Sequence, residues 1–387
     1  EVAEQLMNSG RKISDRYRTL KEQGFSEKEI KENFNLPVQM SVFSWGGDID
    51  TIMTPNDSIR YYKSKLRAGL ISIEPATGFV KAWVGGTDFK HFAYDHVRQG
   101  RRQVGSTIKP LLYTQAVEER GFTPETQLPN EAQYFEGNGW VPASKECKGG
   151  PGSMAAALAF SKNCATAYIM KQVGPRQFAE FMGRLNIPTP IGPYPSVALG
   201  SCDLSLFEMM WAYTIFPGRG FSTKPFAISR IEDRNGNVIK RFDFSANRKE
   251  VISEATSYTM ARMMQGAVDV GTAAGMRSRV GATEMGGKTG TTNENADAWF
   301  LGFTPQILVG AWVGFDDQFI KNEGEASRMA RPICEYFFGK ALADSRTGLE
   351  KEARFVVPAE MGNSMNSADI LLNDLELMPG AEGQDVG

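Results

Sequence analysis

Apolar residues cluster at the two ends of a long central region. Near the front, Gly69-Leu70-Ile71-Ser72-Ile73-Glu74 reads as a strand, Pro75-Ala76-Thr77-Gly78 as a turn and Phe79-Val80-Lys81-Ala82-Trp83-Val84 as a second strand. Far downstream, Gly286 opens a strand-rich tract in which Ala298–Phe303 and Ile307–Val313 pair across Thr304-Pro305. From Ser106 to about Phe216 the spacing is mainly helical, broken by Pro/Gly loops at 121–130, 137–152 and 186–200. Within that stretch Ser153–Phe160 is small and apolar, and Ser161-Lys162-Asn163 leads into a helix through Val173. Residues 225–245 form a hairpin turning at Asn235-Gly236, and helices follow over Ser253–Val268 and Met329–Ala343. Strands at both ends and helices between predict an α+β fold. A central antiparallel sheet built from the two ends would carry an inserted helical lobe, with a cleft between lobe and sheet.

The flanks differ from this core. Residues 1–55 are highly charged, and Ser26-Glu27-Lys28-Glu29 reads as a capping box opening a short helix before Pro37, so a small helical appendage is expected there. The main domain is expected over 56–357. The Gly/Asn/Ser/Asp-rich tail, 358–387, is expected to be loosely held. At 387 residues, an appendage plus one large domain fits the size, and a first residue of Glu1 rather than Met suggests a piece of a longer chain.

Composition removes several classes of function. A net charge of -2 with no Lys/Arg run argues against a nucleic-acid surface. No stretch approaches the roughly 20 apolar residues of a membrane helix. Four scattered cysteines (Cys147, Cys164, Cys202, Cys334) can supply one disulfide but no framework, and no Cys-x-x-Cys pair suggests zinc or redox chemistry. Cys164 is expected to be buried rather than reactive. The two histidines, His91 and His96, lack an HExxH arrangement, so neither a metal nor another cofactor is expected. A Ser-His-Asp triad would need one of them, and neither has a recognisable setting.

Candidate nucleophilic chemistry remains. Ser106 and Lys109 lie three apart at a helix start, so both side chains face one spot at the positive end of the helix dipole. Ser161-x-Asn163 and Lys288-Thr289-Gly290 follow in order. Two of these patterns recur by chance, the first at Ser9 and Lys12, the second at Ser245 and Asn247 and at Ser364 and Asn366; Lys288-Thr289-Gly290 occurs once. A serine hydroxyl needs a base within hydrogen-bond reach, and without histidine the candidate is Lys109. An ordinary lysine titrates near 10.4, so this one must be desolvated or sit by another cation, for which Lys288 is available. Lys288 would also attract a substrate carboxylate. Ser161 can relay a proton from Lys288 to a leaving nitrogen, and the Asn163 amide can hold Lys109 while donating to substrate. Gly290, lacking a side chain, would let a bound peptide lie against the strand as an added strand.

The trio is an established signature of serine β-lactamases and penicillin-binding proteins. Its flanks are more specific. Arg101-Arg102-Gln103-Val104-Gly105-Ser106-Thr107-Ile108-Lys109-Pro110, Lys288-Thr289-Gly290-Thr291-Thr292, Asp297–Pro305, Gly310–Asp317 and Ala198-Leu199-Gly200 together resemble the transpeptidase domain of class A penicillin-binding proteins. The resemblance covers about 55–345, and residues 10–55 look like the linker that joins such a domain to an upstream glycosyltransferase. Lys162 departs from the pattern, standing where the family often has an apolar residue. The resemblance implies the penicillin-binding/serine β-lactamase-like fold and an extracytoplasmic, periplasmic peptidoglycan D,D-transpeptidase. It implies stem peptides as substrates and β-lactams as covalent ligands of Ser106. It also implies an oxyanion hole from the backbone N–H groups of Ser106 and Thr291, carboxylate binding by the Thr289 and Thr291 hydroxyls, and a glycosyltransferase domain and membrane anchor upstream in the full-length protein.

Four other readings stay open. D,D-carboxypeptidase and β-lactamase differ from transpeptidase only in what relieves the acyl-enzyme, and Glu208 is the nearest carboxylate for a β-lactamase. A penicillin sensor would acylate without turnover. Finally, Ala282-Thr283-Glu284-Met285-Gly286-Gly287-Lys288-Thr289 nearly matches a phosphate-binding P-loop, which must follow a strand and open a helix.

Overall fold

The computed structural model describes residues 2–361 apart from 143–146, 148–149, 244–246, 293–295 and 321–325. The tail over 362–387 and the alternative Ser-x-Asn matches that include Ser245 and Ser364 lie outside the described residues. The chain opens with helices α1 (Val2–Ile13), α2 (Asp15–Glu22) and α3 (Glu27–Asn33). Ser26 and Glu29 form the predicted capping box at the start of α3. The appendage is not all helical, however. Residues 38–53 form an antiparallel hairpin, β1 (Val38–Val42) and β2 (Ile49–Met53), before α4 (Pro55–Lys63). Val38, Met40 and Val42 do alternate with Gln39 and Ser41, but five residues of period two are easily lost beside charged helices. Ile59 of α4 lies under Gly10 of α1, so α4 packs on the first helix.

The main domain starts with the hairpin β3 (Arg67–Ile73) and β4 (Val80–Val84). A short strand, β5 (Arg101–Gln103), and one turn of 3-10 helix, Gly105–Ile108, lead into α5 (Lys109–Arg120). Four short strands follow, β6 (Gln127–Leu128), β7 (Gln133–Phe135), β8 (Gly139–Val141) and β9 (Gly152–Ser153), then α6 (Met154–Ala159), α7 (Asn163–Val173) and α8 (Pro175–Arg184). Next come β10 (Asp203–Ser205), which pairs with β5, α9 (Leu206–Tyr213) and β11 (Phe221–Thr223). The Asn235-Gly236 hairpin is β12 (Arg230–Glu232) and β13 (Val238–Arg241); β14 (Arg248–Glu250) pairs with β11, and α10 (Glu254–Asp269) and α11 (Met276–Val280) follow. The chain then returns as β15 (Gly286–Thr291), β16 (Asp297–Phe303) and β17 (Leu308–Gly314), and α12 (Ala326–Ala343) packs on β16 and β17.

These three strands and the first hairpin make one antiparallel sheet of five strands in the order β15-β16-β17-β3-β4, the predicted joining of the two ends. Leu308 faces Ile73 and Gly314 faces Arg67 across the closing pair. Along β16, Trp299, Leu301 and Phe303 enter one core with residues of α5, α6, α9 and α10, whereas Ala298 and Phe300 enter another with α11 and α12. Burial on both faces explains why β16 and β17 read as continuous apolar runs. Arg67 ties the sheet to the end of α4: it grips Asp316 with Nη2 at 2.7 Å, donates to the Tyr62 and Lys65 carbonyls, and lies 3.7 Å over the Phe92 ring. Among the described residues, no helix is long and apolar enough to cross a membrane.

Candidate active site

Ser106 sits half-buried in the 3-10 turn that feeds α5, and that turn is clamped by backbone contacts that only glycine permits. Gly105 has φ +52°, and a Cβ there would lie 2.7 Å from the Thr291 carbonyl oxygen. Gly200, at φ +84°, would place a Cβ 2.1 Å from the Gly105 carbonyl oxygen, which accounts for the Ala198-Leu199-Gly200 segment ahead of α9. Tyr213 of α9 donates to the Thr107 carbonyl, and the Trp299 indole donates to the Gln103 carbonyl at 2.9 Å. The Ser106 turn is thus held from the sheet and from the lobe.

Behind Ser106, one hydroxyl joins the other two motifs. The Lys109 side chain is fully buried, and its Nζ donates to Asn163 Oδ1 at 2.6 Å, the Ser161 carbonyl at 2.7 Å and Ser161 Oγ at 3.1 Å. These three acceptors match the three protons of an ammonium. Lys288, also fully buried, donates from Nζ to Ser161 Oγ at 2.9 Å and to the Thr289 carbonyl at 3.0 Å. With both lone pairs of Ser161 Oγ engaged by amines, its own proton is left to donate elsewhere. Ser161 itself has φ +56°, a conformation that costs an L residue about 1–2 kcal/mol. Burial pushes the Lys288 amine from its ordinary 10.5 down to about 7. Lys288 is available as a cation beside Lys109, and in this setting its neutral form is also accessible near neutral pH.

β15 is an edge of the sheet, so one side of its backbone faces the Ser106 turn instead of another strand. A Cβ at Gly290 would meet Thr107 Cγ2 at 2.6 Å and the Val104 carbonyl at 3.0 Å, so the missing side chain makes room for the Ser106 turn. Thr291 is half-buried beside Gly105. Thr289 is buried, and its hydroxyl donates to Thr272 Oγ1 at 2.7 Å. Thr272, which the sequence reading misses, sits in the α10–α11 connection, where its own N–H donates to the Ala159 carbonyl at 3.2 Å. It belongs to no motif, so only the folded chain brings it here.

All the predicted residues, Ser106, Lys109, Ser161, Asn163, Lys288, Thr289, Gly290 and Thr291, therefore converge on the junction of α5, the α6–α7 turn and β15. Ser9 and Lys12, the second Ser-x-x-Lys match, lie on α1 among elements that carry none of the other motifs. The P-loop reading fails on geometry, because Gly286–Thr291 is a strand paired with β16 and opens no helix. Glu208 is occupied: its carboxylate takes the Ser205 amide and hydroxyl, each at 2.9 Å, and the Thr189 hydroxyl at 2.5 Å. His96 stacks on Trp312 at 4.9 Å and burial pushes its imidazole down to about 4, while His91 pairs with Asp48 at 2.8 Å. Among the described residues, no group of three or more His, Cys, Asp or Glu side chains could hold a metal. Cys164, buried as expected, forms a disulfide with Cys147.

Comparison with known proteins bears on this geometry. Residues 69–310 match the family model described as the penicillin binding protein transpeptidase domain. The chain belongs to the penicillin-binding protein transpeptidase family. Residues 1–66 match a second model, the penicillin-binding protein middle domain. The chain is 32% identical over 261 residues to penicillin-binding protein 1A of Neisseria gonorrhoeae, covering 65% of this chain and 32% of that protein. Identity is also 32% over 274 residues to penicillin-binding protein 1A of Aquifex aeolicus, covering 69% and 37%. The chain thus spans about a third of the length of these relatives. Among solved structures it resembles penicillin-binding protein 1A from Haemophilus influenzae, with a TM-score of 0.70 at 23% identity over 82% of this chain and 53% of that one. It also resembles PonA1 from Mycobacterium tuberculosis, solved in complex with penicillin V, with a TM-score of 0.63 at 21% identity over 91% and 96%. These structural likenesses bear out the fold, a transpeptidase fold of mixed α+β type around a five-stranded antiparallel sheet.

Proposed function

We propose that this chain is the transpeptidase part of a peptidoglycan-crosslinking enzyme and works through a serine acyl-enzyme. Ser106 Oγ attacks the carbonyl of the penultimate D-Ala of a stem peptide, and Lys109, entering the step as the neutral amine, takes its proton and becomes the ammonium whose three protons match the acceptors around Nζ. The Ser161 hydroxyl, with its lone pairs on two amines, passes its proton to the leaving nitrogen and is reprotonated from the amine side. The terminal D-Ala departs, and the amine of a neighbouring stem peptide takes the acyl group. Backbone N–H groups of Ser106 and Thr291 hold the developing oxyanion, each worth about 3 kcal/mol of transition-state stabilisation. Lys288, Thr289 and Thr291 receive the substrate carboxylate. A β-lactam enters the same attack, but its opened ring keeps the leaving nitrogen tethered. The observation that carries this reading is the sharing of Ser161 Oγ between Lys109 and Lys288, both fully buried.

The upstream glycosyltransferase domain, the membrane anchor and the extracytoplasmic site of action belong to this proposal, as does an acyl-enzyme that outlasts that of a β-lactamase. The occupied state of Glu208 favours that last point, since fast deacylation needs a carboxylate free to activate water. The test is product formation from a D-Ala-D-Ala stem-peptide donor and an amine acceptor. Crosslinked product, blocked by prior exposure to a penicillin, is expected. Release of D-Ala with hydrolysed donor alone would make the chain a carboxypeptidase, and no release at all would leave a sensor.

A further inference from the structure

The disulfide lies beside the most demanding part of this site. Cys164 directly follows Asn163 in the first turn of α7 and is buried, and its partner Cys147 comes from the long loop between β8 and β9, with 5.7 Å between the two Cα atoms. The turn it adjoins needs holding. Ser161 is in the left-handed region at φ +56°, which L residues leave unless their surroundings fix them, and Lys162, the residue before α7, makes no side-chain cap. On the α6 side, Ser161 and Lys162 donate their N–H groups to the Leu158 and Ala157 carbonyls at 3.1 and 2.8 Å. On the α7 side, Thr166 Oγ1 returns a bond to the Lys162 carbonyl at 2.8 Å. The bridge adds a covalent tie from outside both helices. It fastens the first turn of α7 to the loop after β8, whose partner strand β7 packs on the same helix.

We propose that the Cys147–Cys164 disulfide is a positioning element of the acylation site. It holds the Ser161–Asn163 turn where Ser161 Oγ reaches both amines and Asn163 reaches Lys109. Acylation by the protein therefore depends on the oxidised state of this pair. The proposal rests on the roles given above to Ser161 and Asn163. Loss of a bridge that merely stabilised the fold would lower the melting temperature and leave the chemistry of folded molecules unchanged.

The test compares acylation of Ser106 by a penicillin, followed by intact mass, in three samples: oxidised protein, the same protein treated with dithiothreitol, and C147S. Dithiothreitol gives two electrons and two protons to the bridge, leaving two thiols, and closes its own ring disulfide. Rates are expressed per folded molecule from near-ultraviolet circular dichroism, so either reduced sample suffices if the other fails to fold. The limiting rate at saturating penicillin is expected to fall about tenfold or more in both, while the half-saturating concentration moves by less than about twofold. Reoxidation should restore the wild type and not C147S. Equal limiting rates in folded oxidised and reduced protein would overturn the inference. Oxidised wild type that is never acylated would instead overturn the acyl-transfer reading, and this proposal with it.

Discussion

Behind the central sheet, Val309, Ala311 and Val313 meet Ala330, Cys334 and Phe338 of α12 in an apolar core. In front, β15 and β16 face a lobe that encloses Lys109 and Lys288, two amines with no solvent exposure. The strands alternate in the same way toward both sides. What differs is the covering layer: α12 presents apolar side chains to the back, whereas α5 begins at the front with Lys109 directed at the α6–α7 turn. Buried amines are tolerable only because each finds acceptors, and Ser161 is the acceptor they share. The rear core is replaceable packing. The front sacrifices stability for a geometry that packing alone would not select.

This contrast predicts that substitutions on the two sides will separate chemistry from stability. Ser106→Ala should abolish penicillin acylation with an unchanged melting temperature; an adduct mapped to any other serine would break the assignment. Lys109→Met should lower the limiting acylation rate by about 10²–10⁴-fold, the usual worth of a positioned base. A loss below about fivefold in stopped-flow acylation would move that role elsewhere. On the rear face, Phe338→Ala should cost about 3–5 kcal/mol in urea unfolding while the folded protein acylates within about twofold of wild type. A comparable loss of rate there would mean the two faces are not independent.

The smallest effect expected is also the most specific to the front. The Lys288 amine titrates near 7 when folded, below its ordinary 10.5, so between these values the unfolded chain keeps a proton that the folded protein has released. Wild-type stability therefore gains from Lys288 as pH rises through that window, and the buried charge is most costly below pH 7. Lys288→Met should stabilise the protein most near pH 6 and progressively less toward pH 10. Chemical denaturation at several pH values would show it, and a difference that is flat or grows with pH would contradict the burial account.

The sheet was legible because β16 and β17 carry unbroken apolar runs and because strands flank helices in chain order. The three short motifs, each weak by itself, were legible through their order and flanks, and the folded chain joins them at one oxygen. The hairpin over 38–53 was not, since five alternating residues beside charged helices carry little periodic signal. Nor was Thr272, whose relation to Thr289 exists only once α10 returns the chain to β15. Gly290 was legible as a requirement, but its close approach to Thr107 and Val104, far away in sequence, was not. The bridge beside Asn163 had only the position of Cys164 to announce it, and four cysteines leave its partner undetermined.

The central claim is that Ser106 is the acceptor of an acyl group that water removes slowly. Time-resolved intact mass after brief exposure to a penicillin tests it directly, with peptide mapping of the modified residue. A single penicilloyl adduct on Ser106 that persists for many minutes is the result predicted. No adduct on Ser106, or return to the unmodified mass within seconds with continued penicillin turnover, would contradict it.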